Sequence, residues 1–236
     1  MIEIKGLQKS FGNREILHGI DLVIEQGSLF GFIGHNGAGK TTTIRSMVGI
    51  LDFEGGDITI NGKSIVHHPI EVKKEIAYIP DNPELYDNLT GEKYLNFIAD
   101  IFEVNNDDRT TRIRKYATDF GLLENLGDLI SSYSHGMKQK LALISALIHE
   151  PKVLILDEPF VGLDPKASHT LKEIMKDLCK CGGIVFFSTH VLEVAEKLCD
   201  HIAIIKDGHI VVNGKTKEVV GQKSLEQVFL ELIGHE

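Results

Sequence analysis

Long apolar runs are missing from this chain of 236 residues. No stretch approaches the roughly 18 apolar residues that span a bilayer. The longest run, Leu141-Ala142-Leu143-Ile144-Ser145-Ala146-Leu147-Ile148, is short and sits in a helical pattern. Met1-Ile2-Glu3-Ile4-Lys5 has no basic segment before an apolar one, so no signal peptide is expected. If the protein works at a membrane, another chain is expected to supply the spans. Cysteine is scarce, with only Cys179, Cys181 and Cys199. An odd count in a long chain argues against a disulfide framework. Cys179-x-Cys181 lacks zinc or thioredoxin spacing, so all three read as reduced thiols of a cytosolic protein. A basic surplus is missing too: 25 Lys and Arg face 34 Asp and Glu, for a net charge of −9. An acidic surface argues against nucleic acid as a main partner. Internal repeats and low-complexity tracts are also lacking.

What remains is an ordinary globular composition, 42% apolar and 25% charged. The length suits one large domain, or a domain with a subdomain. Gly34-His35-Asn36-Gly37-Ala38-Gly39-Lys40-Thr41 fits G-x-x-x-x-G-K-[ST], the P-loop, residue for residue. Gly34, Gly37 and Gly39 let the backbone turn so that its N–H groups point inward at a phosphate chain. Lys40 adds a point charge for the β- and γ-phosphates. The Thr41 hydroxyl is placed to ligate Mg²⁺. Residues 28–33 read as a buried strand leading in. Residues 41–50 read as a helix leading out, whose N-terminal dipole faces the same anion. The plain alternative is a Gly-rich turn that merely joins strand to helix.

Residues 2–7 alternate as a strand, residues 11–14 turn, and residues 20–25 form a second strand. Residues 57–60 and 75–79 read as further strands. From Asp81 to about Tyr133 the texture becomes helical. One helix opens at Thr90-Gly91-Glu92 and runs to about Phe102. A second, over about residues 109–120, is capped by Asn106-Asp107-Asp108. Beyond this insertion, helices are expected over 136–149, 166–179, 191–198 and 225–232. Strands are expected over 152–156 and 184–188, and a hairpin over 201–212 turns at Asp207-Gly208.

Val153-Leu154-Ile155-Leu156-Asp157-Glu158 is an apolar strand ending in two acids. Such a strand belongs in a parallel sheet, whose carboxyl ends carry ligands. Asp157 can hold Mg²⁺ as a Walker B aspartate, and Glu158 can orient or deprotonate an attacking water. Alone, the acids could as well end and solvate the strand; the upstream P-loop favours the functional reading. Ser134-His135-Gly136 opens an apolar helix, where serine and glycine suit either an ordinary cap or anion binding.

In this order, P-loop, helical insertion, Ser134 segment, Asp157-Glu158 and His190, the chain resembles the nucleotide-binding subunit of an ATP-binding-cassette (ABC) transporter over nearly its whole length. The resemblance implies an α/β P-loop NTPase fold over residues 1–236. It has an N-terminal antiparallel β subdomain, a helical subdomain over about 82–135 and a C-terminal helical tail over about 215–236. It implies an ATPase using ATP and Mg²⁺. The catalytic residues would be Lys40, Glu158 and the switch histidine His190. The nucleotide would be held by Phe11, Gly34, His35, Asn36, Gly37, Ala38, Gly39, Lys40, Thr41 and Thr42. Ser134 and Gly136, in the signature segment, would reach the γ-phosphate of a second subunit in a head-to-tail dimer. Gly162-Leu163-Asp164 matches the loop that crosses that interface. Phe11 is either the aromatic that stacks on adenine or a core phenylalanine. The partners implied are that second subunit and a transmembrane permease, with the chain at the cytoplasmic face of the membrane.

Two positions depart from the family pattern. Asp81 replaces a usual glutamine, where it could bind the metal, repel the γ-phosphate or cap a turn. Tyr133-Ser134-His135-Gly136-Met137 replaces Leu-Ser-Gly-Gly-Gln. This variant and the ending Ser224-Leu225-Glu226-Gln227-Val228-Phe229-Leu230-Glu231-Leu232 are similar to ATPase subunits of ABC-2-type exporters. The rival readings are a soluble ABC ATPase of an assembly process and a nucleotide-sensing module that does not hydrolyse ATP. A small-molecule P-loop kinase would need neither the Ser134 segment nor His190.

Overall fold

The computed structural model describes residues 1–233. The chain opens with the hairpin β1 (Ile2–Phe11) and β2 (Arg14–Ile24), then β3 (Leu29–Ile33) and α1 (Lys40–Met47). Next come β4 (Gly55–Ile60), β5 (Lys63–Ser64), α2 (Pro69–Glu75) and β6 (Ile76–Ile79). Three helices, α3 (Gly91–Ile101), α4 (Asn106–Asp119) and α5 (His135–Leu147), lead to β7 (Val153–Asp157). Then follow α6 (Pro165–Lys180), β8 (Ile184–Thr189), α7 (Leu192–Leu198), β9 (His201–Lys206) and β10 (His209–Lys215). Helices α8 (Thr216–Val220) and α9 (Leu225–Ile233) close the described part.

Two sheets form. The first is antiparallel, in the order β2-β1-β4-β5. The second runs β10-β9-β3-β8-β7-β6, with five parallel strands and β10 antiparallel at its edge. Strands β3, β7 and β8 are buried along their whole length. Their side chains alternate between two cores. Val153, Ile155 and Phe186 face the first sheet and α1, while Leu154, Leu156 and Phe187 face α5 and α6. A strand with an apolar layer on each side must be apolar at every position, which explains the uninterrupted run before Asp157. Each fully buried Leu, Ile or Phe here stabilises the fold by about 1.5–3 kcal/mol relative to exposure.

The expected fold class holds: an α/β P-loop core with an N-terminal antiparallel sheet. Several boundaries move for physical reasons. β1 and β2 are longer than their alternation predicts, because Gly6 (φ +59°) and Gly19 (φ +79°) allow bulges and the β1–β2 register shifts. A bulge reverses the inward face and breaks the period-two signal. Helix α2 carries no strong sequence signal; it is a short helix started by Pro69. Asn105, not residues 106–108, caps α4 by accepting the Asp108 N–H at 3.0 Å. Of the expected C-terminal tail, residues 234–236 lie outside the described residues.

The insertion is tied to the core at the end of α5. The Phe102 ring stacks on His149 with centroids 3.7 Å apart. Nε2–H of His149 donates to the Ile76 carbonyl at 3.2 Å, and Arg112 donates to the Ile148 carbonyl at 3.1 Å. Burial pushes the imidazole below its ordinary pKa, outweighing the bond to Ile76. The fold therefore favours neutral His149. Its contribution is complete above the unfolded value of roughly 6.5 and is lost as pH falls through that value towards the lower folded one. The thermal midpoint of the protein should fall more steeply below pH 6.5 than that of His149→Gln, measured by circular dichroism at matched pH values. Parallel curves would deny His149 this role.

Candidate active site

The site is built where β3, β7 and β8 end. β3 delivers the loop 34–39 between β9 and the start of α1. There is no room for larger residues at two of its glycines. A Cβ on Gly34 would lie 2.7 Å from the Ile205 carbonyl oxygen. Gly39 sits at φ +112°, and its Cβ would lie 2.8 Å from Leu17 Cδ2. The loop carbonyls hold a buried cation: Lys40 Nζ donates to the Gly34 carbonyl at 2.7 Å and to that of His35 at 3.3 Å.

β7 ends on the two acids. Asp157 is buried; its Oδ2 accepts the Thr41 hydroxyl at 2.8 Å and its Oδ1 accepts the Ser188 hydroxyl. The P-loop and the acidic strand end are thus joined directly. Glu158 turns back into the cleft from a left-handed backbone, φ +49°. Its Oε1 lies 3.6 Å from Lys40 Nζ. Its Oε2 lies 3.0 Å from His190 Nδ1 and accepts the His190 backbone N–H at 3.3 Å.

Lys40, Thr41, Asp157 and Glu158 line a cavity of about 380 Å³. His190 does not line it; it touches the site through Glu158 and lines a neighbouring cavity with Val191 and Leu192. The floor of the site cavity is the loop, with His35, Asn36, Gly37 and Gly39, and the first turn of α1, with Lys40, Thr41 and Thr42. Phe11, exposed at the tip of the first hairpin, forms one wall, and Asp81 with the two acids forms the other. Partial loss of solvent, then the like charges of Asp157 and Glu158, push the Asp81 carboxyl above its ordinary range; His135 and His190 oppose them. A larger cavity, about 550 Å³, opens at the opposite ends of the parallel strands beside Lys152 and Ile184. It contains none of these groups, so chemistry selects the smaller one.

Gly34 and Ala38 are buried behind the loop rather than lining the cavity. Ser134 and Gly136 do not line it either. Ser134 caps α5, accepting the Met137 N–H at 3.3 Å, and is exposed. Gly136 packs on the 162–164 turn, where a Cβ would lie 2.8 Å from the Gly162 carbonyl oxygen. Asp164 of that turn caps α6 and pairs with Lys140. Two site residues escape sequence reasoning. Arg14 lines the cavity opposite Phe11 in the hairpin register. Ser188 bridges the two acids and has no motif of its own.

The arrangement offers a glycine-lined loop, one buried cation, hard oxygen donors and a carboxylate at one cavity. It can hold a phosphate chain and serve a water attacking it. Residues 17–161 match the ABC transporter family. The ABC-type transporter ATP-binding protein EcsA of Bacillus subtilis is 34% identical, covering 100% of this chain and 99% of its own. The linearmycin resistance ATP-binding protein LnrL of the same organism is 34% identical over 91% of this chain and 69% of its own. A solved ATP binding subunit of an ABC transporter superposes with a TM-score of 0.94 at 33% identity, covering 98% of this chain and 99% of that one. The chain belongs to the ABC transporter family, as an ATP-binding subunit that hydrolyses ATP.

Proposed function

We propose that this chain powers a membrane exporter of the ABC-2 type, working as one of two ATPase subunits docked head to tail beneath a permease. The observation that carries the reading is the convergence of Lys40, Thr41, Asp157 and Glu158 on one cleft, with His190 held against Glu158 at its edge, while Ser134 and Gly136 stay outside it. A second copy would bring its own Ser134 helix start over the γ-phosphate and close the site. Phe11 would stack on adenine, and Lys40 would balance the β- and γ-phosphates. Glu158 would take the proton of the water that attacks the γ-phosphorus as the bond to the ADP oxygen breaks. His190 would hold Glu158 in place and sense the γ-phosphate.

The donor set fits Mg²⁺. The Thr41 hydroxyl and the Asp157 carboxylate are adjacent hard oxygens, and Asp81 lines the same cavity. Among the described residues no cluster of three or more His, Cys, Asp or Glu side chains could hold a metal alone. That suits an ion which takes its remaining oxygens from phosphates and water. Bound there, Mg²⁺ would neutralise charge on the β- and γ-phosphates.

No helix among the described residues is long and apolar enough to cross a membrane, so the spans would come from the permease, at whose cytoplasmic face the chain would sit. Residues 82–135 would form the helical subdomain that meets it. Tyr86, Phe97 and Ile101 are exposed there, and the first two rings stand edge to face at 5.8 Å. Exposed aromatic pairs of this kind favour partner contact. The relative named for linearmycin resistance supports outward movement of cargo. The test is a pull-down from detergent extracts of the source membranes. The chain should retain a polytopic membrane protein, and Tyr86→Asp with Phe97→Asp should lose it while keeping basal ATPase activity. Capture of soluble assembly proteins alone would end the transporter reading.

A further inference from the structure

We infer that Ser188 is a positioning residue for Glu158, holding the catalytic carboxylate in the cleft through a hydroxyl that Asp157 orients. The inference rests on the proposed role of Glu158. Asp157 and Ser188 are register partners on the neighbouring parallel strands β7 and β8. Ser188 is fully buried. Its hydroxyl has one proton, which it donates to Asp157 Oδ1. That carboxylate oxygen accepts, so the single hydroxyl proton is committed to this bond. The hydroxyl lone pairs are thereby turned towards the Glu158 backbone N–H, which donates to Ser188 Oγ at 3.0 Å.

The bond lands on a strained residue. Glu158 has φ +49°, a left-handed backbone that a non-glycine residue keeps only when its surroundings impose it. This conformation sends the side chain back into the cleft, with Oε1 3.6 Å from Lys40 Nζ and Oε2 3.0 Å from His190 Nδ1. Without the Ser188 hydroxyl, the Glu158 N–H loses its partner and the backbone is free to leave the left-handed region. The carboxylate would then swing away from the attacking water. The turn that carries His190 has a separate lock, because Thr189 Oγ1 accepts the Val191 N–H at 3.0 Å. The Asp157 bond to Thr41 uses the other carboxylate oxygen and survives. Loss of Ser188 should therefore slow the chemical step and spare the grip on nucleotide.

The test uses the full chain as wild type, Ser188→Ala, Glu158→Gln and the double variant. Single-turnover phosphate release, ATP affinity and thermal midpoint are measured on each. Ser188→Ala should lower the rate about tenfold or more, as expected for a buried donor left without its acceptor. Its ATP affinity should stay within about threefold, a split that a general loss of structure would not produce. In the Glu158→Gln background, adding Ser188→Ala should change the residual rate by less than about twofold, because the group it positions is already gone. Effects that multiply in the double variant overturn the inference alone. Full turnover in Glu158→Gln removes the Glu158 reading and the inference with it. Should Ser188→Ala fail to fold, Ser188→Cys keeps the shape of the side chain with a somewhat larger atom but accepts hydrogen bonds poorly. A slowed Cys variant supports the bond as the cause; a Cys variant as fast as wild type shows that only volume matters and overturns the proposal.

Discussion

Glu158→Gln should cut ATP turnover by about 10²–10⁴-fold, the range for loss of a general base, while leaving ATP affinity nearly unchanged. Glutamine keeps the size of the side chain and can keep a hydrogen bond with the His190 N–H. It cannot take a proton from water at neutral pH. Affinity should hold because the groups proposed to hold the phosphates are elsewhere: Lys40 on α1, the loop, and Asp157 with Thr41. Affinity could even rise, since a carboxylate 3.6 Å from Lys40 also sits beside the incoming triphosphate and repels it. With hydrolysis blocked, two copies closed over ATP should stay closed. Gel filtration with ATP and Mg²⁺ should show a dimer for the variant and a briefer one for the wild type. Turnover within threefold of wild type would take the base role from Glu158.

How far the sequence carried this site depends on how local each signal is. The P-loop is eight consecutive residues whose types follow from backbone geometry, so it reads without a structure. Asp157 and Glu158 read because the strand before them is apolar at every position and a P-loop lies upstream, both of which the sequence shows. Ser134 as a helix cap is equally local, and α5 starts immediately after it. Ser188 is different. Its partners are 31 and 30 residues away, and only the β7–β8 register brings them together. Arg14 likewise depends on a hairpin whose first strand carries bulges, which hid the true extent of β1 and β2. That Ser134 and Gly136 lie outside the cleft is also a tertiary fact. Chain order can imply a shared site for them, but not that one copy leaves them outside it.

Lys40→Ala should lower ATP affinity by about a hundredfold or more and bring turnover below detection, because two losses act together. The first is direct: a charge-assisted bond to the phosphates disappears, worth roughly 1.5–3 kcal/mol by itself. The second is what the cation leaves behind. Lys40 is only 6% exposed, and its ammonium sits between two loop carbonyls and the Glu158 carboxylate. Without it, two oxygen dipoles and a negative charge face the triphosphate with nothing between them. Lys40→Arg should restore little, since the buried slot fits a compact ammonium and not a planar guanidinium. If the ammonium serves the outer phosphates as proposed, the loss should grow along the nucleotide series, small for AMP, larger for ADP and largest for ATP. Isothermal titration of the three nucleotides reads this directly. An equal loss for AMP and ATP would mean that the substitution collapses the whole cradle, and Lys40 would then be a support of the loop and not a ligand of the phosphate chain.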